Sequence, residues 1–252
     1  LNLTDGLVMG GDEAGVTHHG NLRATGFINA VIGRDTNGVS LTMSSNSQIL
    51  AGSDQAASAE ITIVTDGEIS QKGTILAKRD LALTGLTNRA DIDITTRDYI
   101  RIDGLVRAAD QLSIDASSDE NGLGIYIDVA VVDGDGIPVS GGTVDTEDGG
   151  VINLSATGSI FIEGVIGQNS GDVTDDSLGR AKVANININS LSNNVQLKRK
   201  VEGRDQVTIF GNVINVFNNA HVYATGQDGI LYMAAREQLF MAPNTLPLSD
   251  PD

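Results

Sequence analysis

The stretch Ile61–Ala77, ITIVTDGEISQKGTILA, contains the pattern that decides the fold. Its apolar and polar residues alternate, which is the period of a β-strand with one buried face. The same pattern returns in Ile152–Gln168, INLSATGSIFIEGVIGQ, and in Ile92–Arg107, IDITTRDYIRIDGLVR. Such repeats indicate an architecture in which each unit buries its apolar face against the next unit.

The three copies agree position by position. Counted from the first residue, apolar residues occupy 0 and +2, a small residue occupies +4, Ile occupies +8, and an apolar residue returns at +14. Offset +12 is Gly73, Gly104 or Gly164, which predicts a corner with a positive φ or a close backbone approach. Weaker copies begin at Ala14, Leu41, Leu112, Ile186, Ile214 and Leu231.

The spacing of the copies predicts coils of about 20 residues, each with three short strands and three corners. Starts that lie 20 residues apart, or twice 20, are Leu41 and Ile61, Ile92 and Leu112, and Leu112 and Ile152. The other spacings differ, which predicts irregular loop insertions. In the copy at Ile186 the apolar residue is Val195 rather than Asn194, a slip of one residue that predicts a β-bulge.

Composition supports an all-β chain. Hydrophobic residues make up 40% but aromatic residues only 4%, so the core must consist of Ile, Leu, Val and Ala, and the β-branched residues among them favour strands. Thirty glycines with four prolines indicate repeated corners rather than a flexible linker. A net charge of −17 disfavours nucleic acid and anionic membranes as partners, and the absence of Cys excludes disulfides and thiolate metal sites.

The predicted fold is therefore a parallel β-helix forming a single domain over residues 1–243. We expect an acidic insertion at about 128–150, a terminal cap at about 230–243, and an extended tail over 244–252. The cap sequence ILYMAAREQLFMA fits either a helix or a last strand. A β-sandwich is the rival fold, but it does not require matched residue classes at fixed offsets.

The phrase apolar-x-apolar-x-small-x-Gly-x-Ile-x-x-x-Gly-x-Ile, as in ITIVTDGEISQKGTI and INLSATGSIFIEGVI, resembles the repeats of filamentous-haemagglutinin-like exoproteins. These are large bacterial adhesins of the two-partner-secretion type. The resemblance covers roughly residues 14–243, strongly in three copies. It implies a right-handed parallel β-helix, export from a Gram-negative cell and a fibrous stalk role, and it supplies no catalytic residues.

The acidic insertion contains the candidate site residues. Asp133, Asp135, Asp145 and Asp148 are candidate ligands for Ca²⁺, the one cofactor that the sequence suggests. The alternative is an acidic hairpin whose Asp-Gly pairs form turns. A third reading is catalytic, because many β-helices cleave polysaccharides with clustered carboxylates. Side chains of the insertion lining a groove with Arg101 or Arg107 would favour this enzyme reading.

The basic cluster Lys198–Lys200 allows two interpretations, an acidic partner or carboxylates on the neighbouring coil. We expect a charged outer face.

The expected function is structural or adhesive, without catalysis, in a secreted bacterial cell-surface or extracellular-fibre protein. The expected partners are further coils of a longer parent chain or copies of the chain stacked head to tail, with no nucleic acid and no membrane insertion. One alternative is a binding module that contacts a glycan or protein through loops at 128–148 or 168–182. The other is a polysaccharide lyase or hydrolase.

Overall fold

The computed structural model describes residues 2–3, 6–11, 15–82, 88–129, 131–132, 138–147, 149–167 and 183–242, with the backbone alone in 2–3, 6–11, 131–132 and 138–140. These residues contain strands and no helix. The first strands are β1 (Asn2–Leu3), β2 (Gly6–Gly11), β3 (Val16–His18), β4 (Asn21–Ala24), β5 (Phe27–Ile32), β6 (Val39–Met43), β7 (Gln48–Gly52), β8 (Ala59–Thr65), β9 (Glu68–Gln71), β10 (Thr74–Lys78), β11 (Ala90–Thr96), β12 (Ile100–Ile102), β13 (Leu105–Ala108) and β14 (Gln111–Ala116). The remaining strands are β15 (Leu123–Ile127), β16 (Val131–Val132), β17 (Pro138–Ser140), β18 (Thr143–Thr146), β19 (Val151–Ala156), β20 (Ser159–Ile162), β21 (Val165–Ile166), β22 (Asn185–Ser190), β23 (Val195–Leu197), β24 (Lys200–Gly203), β25 (Gln206–Val216), β26 (His221–Ala224) and β27 (Ile230–Met241).

The strands form three faces around a common axis, and the chain visits the faces in a fixed order. The first face contains β2, β5, β8, β11, β14, β19, β22 and the first halves of β25 and β27. The second face contains β3, β6, β9, β12, β15, β20, β23 and the second halves of β25 and β27. The third face contains β1, β4, β7, β10, β13, β18, β21, β24 and β26. Pairing between coils is parallel, which confirms the predicted β-helix.

Interior side chains stack on their equivalents in the neighbouring coils. On the first face one interior column contains Ile28, Ile61, Ile92, Leu112, Ile152, Ile186 and Val207, all buried. Full burial of each such side chain contributes about 1.5–3 kcal/mol. The small residues at +4 lie inside a corner, where the hydroxyls of Thr65 and Thr96 both donate to the carbonyl oxygen of Gly67.

Coil length varies more than the sequence spacing predicts. The step along this column is 20 residues from Ile92 to Leu112 but 40 from Leu112 to Ile152, which are direct neighbours. The prediction of two coils between Leu112 and Ile152 is therefore wrong. The extra residues leave the coil between the second and third faces, where β16 and β17 pair as an antiparallel hairpin. The hairpin interpretation of the insertion is confirmed for these strands.

Three of the weaker sequence copies fall on a different face from the strong copies, and the copy at Ala14 is one of them because its Val16 pairs with Leu41. Leu41 pairs with Ile69, not with Ile61, so its 20-residue distance from Ile61 is not a coil. Ile214 likewise pairs with Val195 on the second face. The assignment failed because all three faces carry the same alternation, and alternation alone does not identify the face.

The one-residue slip after Ile186 has a different cause from the predicted bulge. Ile186 pairs with Ile152 and Val195 pairs with Ile160, both without a shift of register within the strands. The extra residue therefore lies in the corner between β22 and β23. Register shifts do occur after longer corners, between Val39 and Leu41 and between Leu123 and Ile125.

The two corners that precede these register shifts, residues 35–38 and 119–122, share the sequence Asp-x-Asn-Gly. The Asp35 carboxylate accepts hydrogen bonds from the backbone N–H groups of Asn37 (2.8 Å) and Val39 (2.9 Å). Asp119 accepts the equivalent bonds from the second and fourth residues after it, both at 2.8 Å. The glycine of each corner has a positive φ, 85° in Gly38 and 78° in Gly122, which residues with a Cβ rarely adopt. The bond to Val39 lowers the pKa of Asp35.

The glycine column at +12 is explained by a close backbone approach. Gly73, Gly104, Gly142 and Gly164 stack over one another at the corner between the second and third faces. A Cβ on Gly104 would lie 2.1 Å from the carbonyl oxygen of Gly73, and a Cβ on Gly164 would lie 2.1 Å from that of Gly142. Positive φ is not the reason, because these four glycines are not among those with φ above zero.

The predicted terminal cap is a strand. β27 pairs in parallel with β25 over both the first and second faces, so the strand reading of ILYMAAREQLFMA is confirmed and the helix reading is wrong. The strand adds a further coil instead of covering the preceding one. The predicted tail over 244–252 lies outside the described residues.

We expect Gly104→Ala to destabilise the fold, because its Cβ would collide with the backbone oxygen of Gly73 and force the neighbouring coil to move. Such overpacking costs about 1–3 kcal/mol. The matched control is Gly20→Ala in the first coil, at the same corner, where a new Cβ would have no atom within 4 Å. Urea unfolding measures both, and equal midpoints for the two variants would contradict the close-approach explanation.

Candidate functional site

Of the four candidate Ca²⁺ ligands, one lies in the described part of the chain. Asp133, Asp135 and Asp148 lie outside the described residues. Asp145 lies in β18 and pairs in register with Arg107 of β13 in the preceding coil. Within the described ranges no group of three or more His, Cys, Asp or Glu side chains is arranged to hold a metal ion. A site formed by all four aspartates stays a prediction.

Asp145 is a fully buried carboxylate that is held by one arginine. Its Oδ2 accepts hydrogen bonds from Arg107 Nε at 3.1 Å and from the terminal guanidinium nitrogen at 3.0 Å, while its Oδ1 has no hydrogen-bond partner. Burial raises the pKa of Asp145 to about 7, and the attraction of Arg107 offsets this only in part. The Arg107–Asp145 pair therefore joins two neighbouring coils, and the buried carboxylate is not accessible to a substrate.

A second arginine–aspartate pair shows the opposite pKa shift. Arg79 donates to both carboxylate oxygens of Asp110 at 2.6 Å, and the backbone N–H of Ala90 adds a third bond at 2.7 Å. Burial acts to raise the pKa of Asp110, but these hydrogen bonds lower it below the ordinary value. Asp110 accepts three hydrogen bonds and keeps 22% of its side-chain surface exposed, whereas Asp145 accepts two from Arg107 and keeps none, so weaker desolvation and more hydrogen bonds together give Asp110 the lower pKa.

The two arginines named for the enzyme reading both contact an aspartate of the insertion. Arg101 pairs with Asp128 at the end of the second face, and Arg107 pairs with Asp145 on the third face. Each arginine is thus neutralised by a carboxylate from the next coil. The two pairs fix the beginning and the end of the insertion to the body of the helix.

The basic cluster is also paired with carboxylates. Lys198 pairs with Glu163 of the preceding coil, and Lys200 pairs with Glu202 of its own strand. The interpretation that this cluster binds carboxylates of the neighbouring coil is therefore confirmed for Lys198.

The second face carries a strip of aromatic and charged side chains that the repeat pattern does not predict. We call this the aromatic strip, and it comprises Tyr99, Arg101, Tyr126, Phe161, Lys198 and Phe217. Five of the nine aromatic residues lie on this face or at its corners, namely Tyr99, Tyr126, Phe161, Phe217 and Phe240. The sequence does contain a signal for this strip. It is the middle residue of the apolar-x-apolar triplet in each second-face strand, as in IRI (100–102), IYI (125–127) and IFI (160–162).

Contacts between neighbouring coils hold the aromatic strip in place. The Arg101 guanidinium lies 5.5 Å from the ring centre of Tyr126, whose ring meets Phe161 edge-to-face at 6.4 Å. The Tyr126 hydroxyl donates to Glu163 at 2.7 Å, and burial together with this bond raises the pKa of Tyr126. Lys198 Nζ lies 5.4 Å from the ring centre of Phe217. The strip thus presents ring surfaces beside paired charges along the helix axis.

No protein-family model, no curated protein and no solved structure matches this chain. No helix long and apolar enough to cross a membrane occurs among the described residues.

The raised pKa of Asp145 predicts a specific pH dependence of stability. The unfolded chain releases this proton near pH 3.8 and the folded chain near pH 7, so the folded state binds the extra proton between these values. The contribution of Asp145 to the free energy of unfolding therefore falls as the pH rises from 3.8 to about 7, and is constant above that. Asp145→Asn removes this trend.

Urea midpoints measured at several pH values from about 4 to 8 test this prediction. Relative to the wild type, the Asp145→Asn variant should gain stability as the pH rises toward 7. Asp115→Asn, which replaces an exposed carboxylate in β14, is the control. A constant difference between wild type and Asp145→Asn at every pH would contradict the prediction.

Proposed function

We propose that this chain is a structural rod segment of a secreted bacterial cell-surface or extracellular-fibre protein and that it performs no catalysis. The observation that carries the proposal is the unbroken interior column from Ile28 to Val207, which continues to Leu231 in the last coil. Each coil contacts its two neighbours and repeats the same arrangement, as in solenoid proteins that serve as extended scaffolds. The bacterial and extracellular assignment derives from the resemblance of the repeats to filamentous-haemagglutinin-like exoproteins.

The outer charges support the same proposal. Arg79, Arg101, Arg107 and Lys198 each pair with a carboxylate of an adjacent coil. Such pairs connect one coil to the next along the axis. These pairs are distributed over several coils, as expected of side chains that stabilise a rod. A catalytic site would instead need its charged groups to converge on one substrate.

A rod segment predicts that whole coils are interchangeable. Deletion of residues 91–110 joins Ala90 to Gln111, and Gln111 already pairs in register with Asp91, so the strand meets β8 in the native alternation. We expect a folded chain that is shorter by one coil, about 4.8 Å. Deletion of residues 91–109 is the matched control, because a one-residue slip turns every interior side chain outward.

Circular dichroism and small-angle X-ray scattering distinguish the two deletions. A folded 20-residue deletion and an unfolded 19-residue deletion are the expected results. Loss of structure in the 20-residue deletion would contradict the interchangeability of coils. Depolymerisation of an acidic polysaccharide by the intact chain would contradict the absence of catalysis.

The aromatic strip favours a second candidate function, the binding of an extended polysaccharide along the second face. Aromatic rings offer apolar surfaces against which sugar rings pack, and the paired charges beside them offer donors and acceptors for hydroxyl groups. Arg101 and Lys198 remain partly exposed, with 44% and 39% of their side-chain surfaces accessible. The strip follows the axis, so its length suits a chain rather than a single sugar.

Calorimetric titration with soluble polysaccharides tests this second candidate. Tyr126→Ala should weaken binding at least tenfold, because it removes the central ring of the strip. Tyr223→Ala, on the third face, should leave binding unchanged. Equal losses in both variants, or no binding by the wild type, would exclude the strip as a polysaccharide site.

A further inference from the structure

The last coil exposes apolar positions whose equivalents in the coils before it, from Ile28 to Val207 on the first face, are buried. Leu231 lies in the interior column of Val207, and Leu239 lies in that of Ile214. Val207 and Ile214 are fully buried, whereas Leu231 and Leu239 are 39% and 42% exposed. Ile230, Tyr232, Phe240 and Met241 extend this surface, each about half exposed. Exposed apolar side chains concentrated on one outermost strand mark an interaction site.

The backbone of β27 has an open edge beside this patch. The N–H of Ile230 donates to the carbonyl oxygen of Asp205 at 2.9 Å, so Ile230 points its backbone groups toward the preceding coil. Backbone groups alternate between the two sides of a parallel strand, so those of Leu231 and Met233 point away from β25. In the described residues no strand pairs with this side of β27, and such an edge is a template for another strand.

The opposite end of the stack offers the complementary edge. There β2 lies on the first face, β3 on the second and β1 on the third, and each forms the outermost described strand of its face. At the other end the outermost strands are β27 on the first and second faces and β26 on the third. Among the described residues, each face therefore ends at either side of the stack on a strand with one unpaired edge, and the strands of the three faces run in the same sense around the axis.

We propose that a second copy of this chain stacks its first coil on the last coil of the first copy, in parallel and in register. In this joint β2 lies on the first half of β27, β3 on its second half, and β1 on β26. Continuing the native columns places Leu231 next to Leu7 of the other copy and Tyr232 next to Val8. The contact buries the apolar patch and pairs the open edge.

This joint uses different surfaces on the two copies, so it does not close and it generates a filament. Nine coils at about 4.8 Å each make one copy add about 43 Å to the axial length. The inference rests on the proposed rod function, to which it adds the identity of the partner. A second copy of this chain is the partner that fits the edge of β27, because it presents strands on the same three faces, in the same direction and in the same order.

Disulfide trapping tests the register of the joint, because the chain has no native cysteine. We expect Val8→Cys and Tyr232→Cys, purified separately and mixed under mild oxidation, to form a cross-linked heterodimer. Equivalent positions on neighbouring parallel strands lie within the Cα separation that a disulfide accepts. The matched control is Asp115→Cys mixed with Tyr232→Cys, since Asp115 is exposed on the first face in β14, the fifth of its nine strands. The first mixture should cross-link at least tenfold faster than the control.

A second set of variants tests the apolar patch without cysteines. The wild type should form rods in analytical ultracentrifugation and electron microscopy whose length grows with concentration in steps of about 43 Å. The double variant Leu231→Lys with Leu239→Lys should remain a single rod. Val31→Lys with Val64→Lys, two exposed outer-face positions, is the control that should still grow.

Three outcomes would overturn the inference. One is a wild type that stays a single rod at every concentration. That result would mean that the edge of β27 pairs with a further coil of the same polypeptide and not with a second copy. Another is a cross-link of Tyr232→Cys with itself that dominates over the mixed one, which indicates a closed end-to-end dimer. The third is equal growth of the Leu231→Lys, Leu239→Lys variant and the wild type. None of these affects the rod proposal, which fails separately if the deletion of residues 91–110 does not fold.

Discussion

The parallel hydrogen-bond ladder between coils is the constraint on which the rest of the structure depends. It requires each residue to lie on its equivalent in the neighbouring coil, about 4.8 Å away. A fixed column of this kind accepts few residue types, because the same environment recurs in every coil. Aliphatic side chains fill the interior columns, and glycine fills the corner where two backbones approach most closely.

The same constraint explains the chemistry of the outer surface. Side chains that stack at the coil spacing interact strongly, so unlike charges attract and like charges repel across the ladder. Arg107 lies over Asp145 and Lys198 over Glu163 for this reason. Burial and hydrogen bonding together then set the pKa of each carboxylate, as the contrast between Asp110 and Asp145 demonstrates. The contacts within the protein account for both the Arg79–Asp110 pair and the Arg107–Asp145 pair without a bound ligand.

How far the sequence predicted this molecule depends on how local each feature is. The strands and the interior residues followed from alternation in copies such as Ile61–Ala77, because alternation is a property of neighbouring residues. The face to which Leu41 belongs did not follow, because every face shares that alternation. The pairing of Arg107 with Asp145 was also beyond reach. It depends on how many residues the insertion after Ile127 adds before the coil resumes, and no local pattern encodes that number.

The length differences between coils have a consequence for how the chain acquires its structure. Ladder contacts join residues from 19 to 40 positions apart, as between Val195 and Ile214 and between Leu112 and Ile152, and the described residues show no pairing between the first and last coils. A finished coil already presents the complete template for the next one. The chain can therefore fold vectorially from its first coil as successive segments become available, each segment waiting only for its predecessor.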